Sequence, residues 1–330
     1  MTRDSPIAAV TGATGFIGTH LCERLLADGW TVRGLRRPTS DRGKLAGRLE
    51  WTIGDITDRA ALESLVDGAD AVFHLAGVGL WRADPGTVRR VNREGTRTVL
   101  EACRSREVGR LVFTSTAGTR RATGSDPDRP NAVADETDVA DPVGAYQSSK
   151  AAAETLVDRY AETDGDAVTV HPTAVFGPGD DRFTARLLEL ALDPKRLAAP
   201  PGGGSLVGVS DVVDGVLAAS DEGTSGEHYL LGGENLTYRA AAARIARFAD
   251  GHPPRFRVPA AAVRAAGPVA GALGRLAGVR VFPFDRDMAR LATRRLFYTS
   301  RKAHEELGYT YEPLEAHLPE VLAWYRSSTE

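Results

Sequence analysis

The chain has 330 residues, of which 42% are apolar and 26% charged, a balance that suits a soluble globular protein of one large or two modest domains. A formal net charge of −3 gives no reason to expect nucleic acid or an anionic membrane as partner. Its two cysteines, Cys22 and Cys103, stand apart inside helical patterns with no CxxC or Cys/His spacing, so neither a disulfide framework nor a metal site is expected.

A strand pattern begins by Ile7, which leaves no room for a signal peptide ahead of it. The apolar run Pro259–Val279 is broken by Arg264, Arg275 and several glycines, so no membrane span is expected and the chain reads as cytoplasmic. Between Gly251 and Thr310 arginines accumulate, which reads as a solvated surface, with a phosphate-bearing substrate or an anionic partner as the alternative.

Ile7–Val10 is a short apolar strand running into the glycine-rich stretch Thr11–Gly18, after which Ile17, Leu21 and Leu25 repeat at helical spacing until Asp28-Gly29. Strands follow at Thr31–Leu35, Leu49–Ile53 and Ala71–Leu75, the last apolar except for His74, as in a strand buried on both faces. A helix over Thr96–Arg106, a strand from Arg110 to Thr114, a helix over Tyr146–Tyr160 and a strand over Ala167–Val170 complete the alternation. Alternating strands and helices of this size predict an α/β fold: right-handed βαβ units on a parallel, doubly wound Rossmann sheet.

Further on, Pro200–Gly204 reads as a loop or hinge, Ser210–Ala219 as a helix and Glu227–Leu231 as a strand rejoining the sheet. Leu236–Ala249 and Pro259–Leu276 have helical patterns. The expected organisation is a cofactor domain over 1–176, with a returning segment near 205–232. A smaller, mostly helical substrate lobe would come from 177–204 and 233–330.

The segment Gly12-Ala13-Thr14-Gly15-Phe16-Ile17-Gly18 lies between a strand and an amphipathic helix. There glycine permits a sharp turn and close backbone approach to a pyrophosphate, and the helix N-terminus offers free N–H groups. NAD binders carry an acidic residue roughly 20 residues later for the ribose hydroxyls. The second strand here ends instead in Arg36-Arg37, two guanidiniums suited to a 2′-phosphate, so NADP(H) is expected ahead of NAD(H). Asp55-Ile56 is placed to meet the adenine edge, and Leu75-Ala76-Gly77 to let backbone approach the cofactor.

Tyr146 and Lys150 stand one helical turn apart on one face. A phenol with a free pKa of about 10 needs help to exchange protons at neutral pH, and a neighbouring ammonium is expected to lower it. The stretch Phe113–Gly118 brings hydroxyls to the carboxyl edge of the sheet, where open α/β folds bind ligands, and one of these should hold the substrate oxygen.

Together, Gly12/Gly15/Gly18, Asp55-Ile56, Leu75-Ala76-Gly77, Asn92, Thr114–Thr116, Tyr146/Lys150 and His171–Gly179 resemble an extended short-chain dehydrogenase/reductase of the NAD-dependent epimerase/dehydratase superfamily. Val32–Ser40 and Tyr229–Asn235 are most similar to its dihydroflavonol-reductase-like and hopanoid-associated epimerase-like branch. The resemblance covers nearly the whole chain. It implies Tyr146 as proton donor or acceptor, Lys150 as its electrostatic partner and ribose ligand, and Thr116 as the hydroxyl orienting a carbonyl. It implies Asn92 near the sheet edge, and Pro172 and Val175 flanking the nicotinamide. It also implies a homodimer formed through helices such as Thr96–Arg106 and Tyr146–Tyr160.

Two departures narrow the substrate. No Tyr-Gly follows Thr116, and Ser205–Asp211 lacks the arginine and histidine that grip nucleotide phosphates in sugar-nucleotide epimerases of the superfamily. His171, where relatives carry Asn or Arg, reads as a satisfied structural histidine. The leading expectation is an NADP(H)-dependent oxidoreductase of a small-molecule ketone, aldehyde or secondary alcohol. The rivals are an epimerase or dehydratase that retains its cofactor, and a non-catalytic NADP-binding sensor.

Overall fold

The computed structural model describes residues 5–79, 84–121, 133–139, 142–163, 165–266 and 286–329. Strands β1 (Ile7–Thr11), β2 (Thr31–Arg36), β3 (Glu50–Ile53), β4 (Ala71–His74), β5 (Arg110–Thr114) and β6 (Ala167–Pro172) form a sheet with the returning strand His228–Leu231. The seven run in the order His228–Leu231, β6, β5, β4, β1, β2, β3, and every pairing is parallel. All carboxyl ends therefore meet one edge, and this edge carries Thr11, Arg36, His74, Thr114 and Pro172.

β4 and β6 are buried residue by residue because helices cover both faces. On one face α1 (Phe16–Ala27) and α7 (Val209–Asp221) contribute Leu21, Leu25, Val212 and Val216. On the other, α2 (Arg59–Val66), α4 (Gly95–Ser105) and α5 (Gly144–Thr163) contribute Leu62, Leu65, Val99 and Val157. Each of these helices presents its apolar stripe at helical spacing to the sheet. Cys22 and Cys103 are buried in the two faces, and burial pushes both thiols up to about 12. Such thiols are inert.

The predicted helix Thr96–Arg106 is α4, but the chain enters it through α3 (Pro85–Arg89) and a π-helical turn, Arg90–Glu94. Asp84 caps α3 by accepting from the N–H groups of Gly86 and Thr87.

Pro200–Gly204 is not simply a loop. Gly203 and Gly204 open the strand Gly203–Gly208, which pairs with Glu234–Thr237, Arg295–Leu296 and Ala174–Phe176 in a second, smaller sheet. The glycines serve close packing: a Cβ on Gly203 would stand 2.5 Å from the Leu236 carbonyl, and one on Gly202 2.4 Å from that of Arg294. The predicted helix Leu236–Ala249 likewise begins later, as α8 (Tyr238–Phe248), because Leu236 and Thr237 belong to that sheet. Leu188 on α6 (Phe183–Leu192), Leu206, Ile245 on α8, and Leu318 on the helix Leu314–Thr329 form a separate core beneath it. Of the expected helix Pro259–Leu276, residues 260–266 are helical, and the remainder lies outside the described residues. Among the described residues no helix is long and apolar enough to cross a membrane.

Candidate active site

The turn after β1 is built by its glycines. Gly12 has φ +76°, and a Cβ there would come within 2.7 Å of the Ala76 nitrogen. A Cβ on Gly18 would lie 2.1 Å from the Gly12 carbonyl oxygen, so helix and turn touch only because Gly18 lacks one. Gly15 N–H closes the turn onto Gly12 O at 2.9 Å, with Thr14 at its tip. α1 then starts at Phe16 with a glycine N-cap and no side chain across its first N–H groups.

Arg36 ends β2 beside this turn. Its Nη1 reaches the carbonyls of Arg37 and Pro38 at 3.3 and 3.4 Å, while its buried Nε has no partner among the described residues. Arg37 is exposed. The Asp55 carboxylate accepts from Thr57 Oγ1 at 2.8 Å and faces Arg90 at 3.6 Å, and Ile56 is buried where a Cβ on Gly95 would meet it. Ala76 N–H donates to Thr11 Oγ1 at 3.3 Å. The Asn92 amide is fully engaged: it accepts from Val78 N–H (2.7 Å) and donates to Val78 O (3.1 Å) and Ser149 Oγ (2.9 Å). Asn92 thus clips the segment after β4 to α5.

A cavity of about 250 Å³ opens at the carboxyl edge. Its walls include Ile17, Leu75, Gly77, Thr116, Tyr146, Lys150, Pro172 and Val175, eight residues singled out by sequence. Gly12, Thr14, Gly15, Phe16, Gly18, Arg36, Arg37, Asp55, Ile56 and Ala76 lie outside this cavity, around the turn and along the edge toward β2 and β3, and Asn92 lies outside it on the α5 side, beside Gly77. A larger groove, about 570 Å³, contains none of these residues.

Tyr146 and Lys150 face the cavity from the first turns of α5. Thr116 shares the cavity wall with Tyr146, and its Oγ1 accepts from Gly118 N–H at 3.2 Å. Lys150 is buried, donates from Nζ to the Thr114 carbonyl at 2.8 Å and sits 4.8 Å above the Phe113 ring. Desolvation draws its ammonium down to about 8 against the opposing pull of Glu154. The expected lowering of the Tyr146 pKa is not met. Burial pushes the phenol up, with Glu154 adding to the rise, and Thr116 offsets only part of it. Removing a phenolate from water outweighs whatever the neighbouring ammonium returns.

Several residues at the site were not anticipated. Arg182 shares the cavity wall and meets Asp181 through Nε at 3.7 Å. Behind Thr116 lies a buried polar cluster of Arg120, Glu154, His171 and His228. His171 is fully buried and hydrogen-bonded, as expected of a structural histidine, but one of its partners is the charged Arg120. The only local signal for the cluster was Arg120-Arg121, lost in an arginine-rich chain.

The NAD dependent epimerase/dehydratase family matches residues 8–232 of this chain. A Synechocystis protein provisionally named a dihydroflavonol 4-reductase is 29% identical, the match covering 96% of this chain and 94% of that protein. A Stigmatella aurantiaca ketoreductase of 4-hydroxy-2-methyl-3-oxo-4-farnesyl-3,4-dihydroquinoline-1-oxide is 31% identical, over 91% of this chain and 90% of its own length. The crystal structure of gox2253 superposes with a TM-score of 0.83 at 30% identity, covering 98% of this chain and 99% of that one. With the glycine turn, the parallel sheet and the Tyr/Lys cavity in place, the chain belongs to the NAD dependent epimerase/dehydratase family and is an NAD(P)-dependent oxidoreductase of the extended short-chain dehydrogenase/reductase type.

Proposed function

We propose that the protein is an NADP(H)-dependent reductase of a small ketone or aldehyde, or dehydrogenase of the corresponding alcohol, with Tyr146 as proton donor and acceptor. The observation that carries this reading is that Tyr146, Thr116 and Lys150 line one cavity with Pro172 and Val175. A carbonyl oxygen entering between Tyr146 and Thr116 would meet two O–H donors at once. When bound, the nicotinamide cofactor supplies the hydride. Tyr146 gives the carbonyl oxygen its proton, Thr116 orients that oxygen, and Lys150 is positioned as ribose ligand and electrostatic partner.

The chain's residues fit NADP(H). The unpartnered, buried Arg36 Nε and the exposed Arg37 provide donors for a 2′-phosphate, and no carboxylate ends β2 to favour a free ribose diol. Replacing both arginines with alanine is expected to raise the KM for NADPH by about 30-fold and to leave that for NADH within about threefold, since charge-assisted hydrogen bonds are worth roughly 1.5–3 kcal/mol. Equal losses for the two cofactors, read from initial rates, would refute the assignment.

The substrate lobe is assigned to 177–204 and 233–330, and homodimerisation to the outer faces of α4 and α5, which light scattering tests. Among the described residues the cavity wall holds Arg182 and Lys150 but no carboxylate, which supports a substrate with an acidic group near its carbonyl. The Arg182→Met variant is expected to lose about 100-fold in kcat/KM toward an oxo acid and almost nothing toward its methyl ester. A uniform loss, or none, would remove Arg182 from substrate binding. The test of the whole reading is NADPH oxidation against a panel of oxo acids, ketones and aldehydes, beside mass spectrometry of the purified protein. A tightly held cofactor with no net NADPH consumption would instead mark an epimerase or dehydratase.

A further inference from the structure

The polar cluster behind Thr116 is organised around one cation. Arg120 is buried at the end of the short 3-10 turn Ala117–Thr119. Its Nη1 donates to Glu154 Oε2 and Thr119 Oγ1, both at 3.1 Å. Its Nη2 points at His171 Nε2 (3.1 Å) and His228 Nδ1 (2.9 Å). A guanidinium has only donors, so both ring nitrogens that face it must present lone pairs. The histidine protons are thereby assigned: His171 carries its proton on Nδ1, 3.2 Å from the Thr116 carbonyl, and His228 on Nε2, 3.0 Å from Asp158 Oδ1. The 2.9 Å approach of His171 Nε2 to His228 Nδ1 is then two lone pairs bridged by one NH2 group. Burial first, and Arg120 second, hold the His171 pKa well below its ordinary value, in keeping with a neutral ring.

Glu154, His171 and His228 bring one ligand atom each to within 4.8 Å of one another, a donor set otherwise suited to a divalent metal. The guanidinium lies against all three, so the cation of this site belongs to the chain itself.

We propose that Arg120 is a positioning residue for the reaction: through Glu154, His171 and Thr119 it clamps the Ser115–Thr116 segment against Tyr146. Each arm of the clamp ends on that segment. Glu154 accepts from Ser115 Oγ, His171 Nδ1–H donates to Thr116 O, and Thr119 Oγ1 donates to Thr116 O at 2.8 Å. Glu154 also follows Tyr146 and Lys150 at successive turns of α5, so the helix that carries the acid/base pair is tied to the same guanidinium. Arg120 touches no reacting atom. It sets where the Thr116 hydroxyl stands.

The inference rests on the proposed roles of Tyr146 and Thr116, and two measurements on the full chain separate its failure from theirs. Nitrogen-15 NMR of the histidine rings needs no substrate: it should find His171 protonated on Nδ1 and His228 on Nε2, and the opposite tautomer on either ring would overturn the clamp. In kinetics with a carbonyl that the wild type reduces, Arg120→Met should lower kcat by about 30-fold while NADPH affinity stays within about threefold, because a misplacement of about 1 Å costs on the order of 100-fold. Arg120→Lys, lacking the fork, should recover only a small part. His228→Gln, whose amide can both accept from Arg120 and donate to Asp158, should stay within about threefold of wild type. If Arg120→Met does not fold, Thr119→Val removes one arm alone and should lower kcat by about fivefold. Unchanged kcat in a folded Arg120→Met or Thr119→Val, or parallel losses of kcat and cofactor affinity, would reduce the cluster to a structural element. A wild type inert toward every carbonyl would refute the functional reading and leave the clamp to the NMR result.

Discussion

The Tyr146→Phe variant is expected to turn over about 1,000-fold more slowly than the wild type while binding NADPH equally well. The substitution removes one O–H and almost no volume, so the α5 helix and the cavity wall should survive it. What disappears is the proton donor that shares the cavity wall with Thr116 and Lys150. Positioned acid/base groups contribute roughly 10²–10⁴-fold, and the middle of that range corresponds to about 4 kcal/mol of barrier. Steady-state NADPH oxidation gives the rate, and fluorescence titration gives the cofactor affinity. Turnover within threefold of wild type would exclude Tyr146 from the chemistry. The pH dependence has a defined sign. Lys150, drawn down to about 8, loses its charge before the up-shifted phenol of Tyr146 loses its proton. Cofactor affinity should therefore weaken as pH rises through about 8, while Tyr146 is still able to donate.

Gly18→Val should be the most damaging change outside the cavity. The new Cβ would begin 2.1 Å from the Gly12 carbonyl, and both atoms belong to backbone that has no rotamer with which to escape. Either α1 lifts from the turn or the turn opens. Both displace the N–H groups that would meet a pyrophosphate. Overpacking of this kind costs roughly 1–3 kcal/mol, enough to lower Tm by about 5 °C in a protein of this size. The loss in NADPH affinity should exceed about 100-fold, because the cradle itself is deformed. Calorimetry and cofactor titration report the two effects separately, and near-normal NADPH binding would show that Gly18 is not part of the cradle.

The alternation of β1 through β6 with α1, α4 and α5 was legible because each element carries its own period and its own stop signal, such as Asp28-Gly29 after α1, whereas the two-turn α2 was not read from the sequence. The glycine turn and Tyr146/Lys150 were legible for the same reason, as local spacings on recognisable elements. Gly203 and Gly204 misled because glycine marks both a loop and a strand pressed against its neighbours, and only the Leu236 carbonyl decides which. The Arg120 cluster was invisible for another reason. Arg120, Glu154, His171 and His228 come from four separate elements, with 108 positions between the first and the last, and no periodicity connects them. The direction of the Tyr146 shift was also beyond sequence, because it depends on how much water the folded cavity excludes.

The returning strand His228–Leu231 has a consequence for rebuilding this protein. It closes the sheet beside β6, and α7 just before it packs into the same core as α1. The chain therefore leaves the cofactor layer after β6 and comes back to it before departing again. A fragment ending near residue 176 would leave β6, buried along its whole length in the intact chain, as a bare margin open to self-association. With the substrate lobe proposed above, exchanging specificity with a relative takes two grafts, one on either side of α7 and its strand, rather than a single splice. A chimera made with one junction should precipitate, whereas a two-junction chimera keeps the margin sealed.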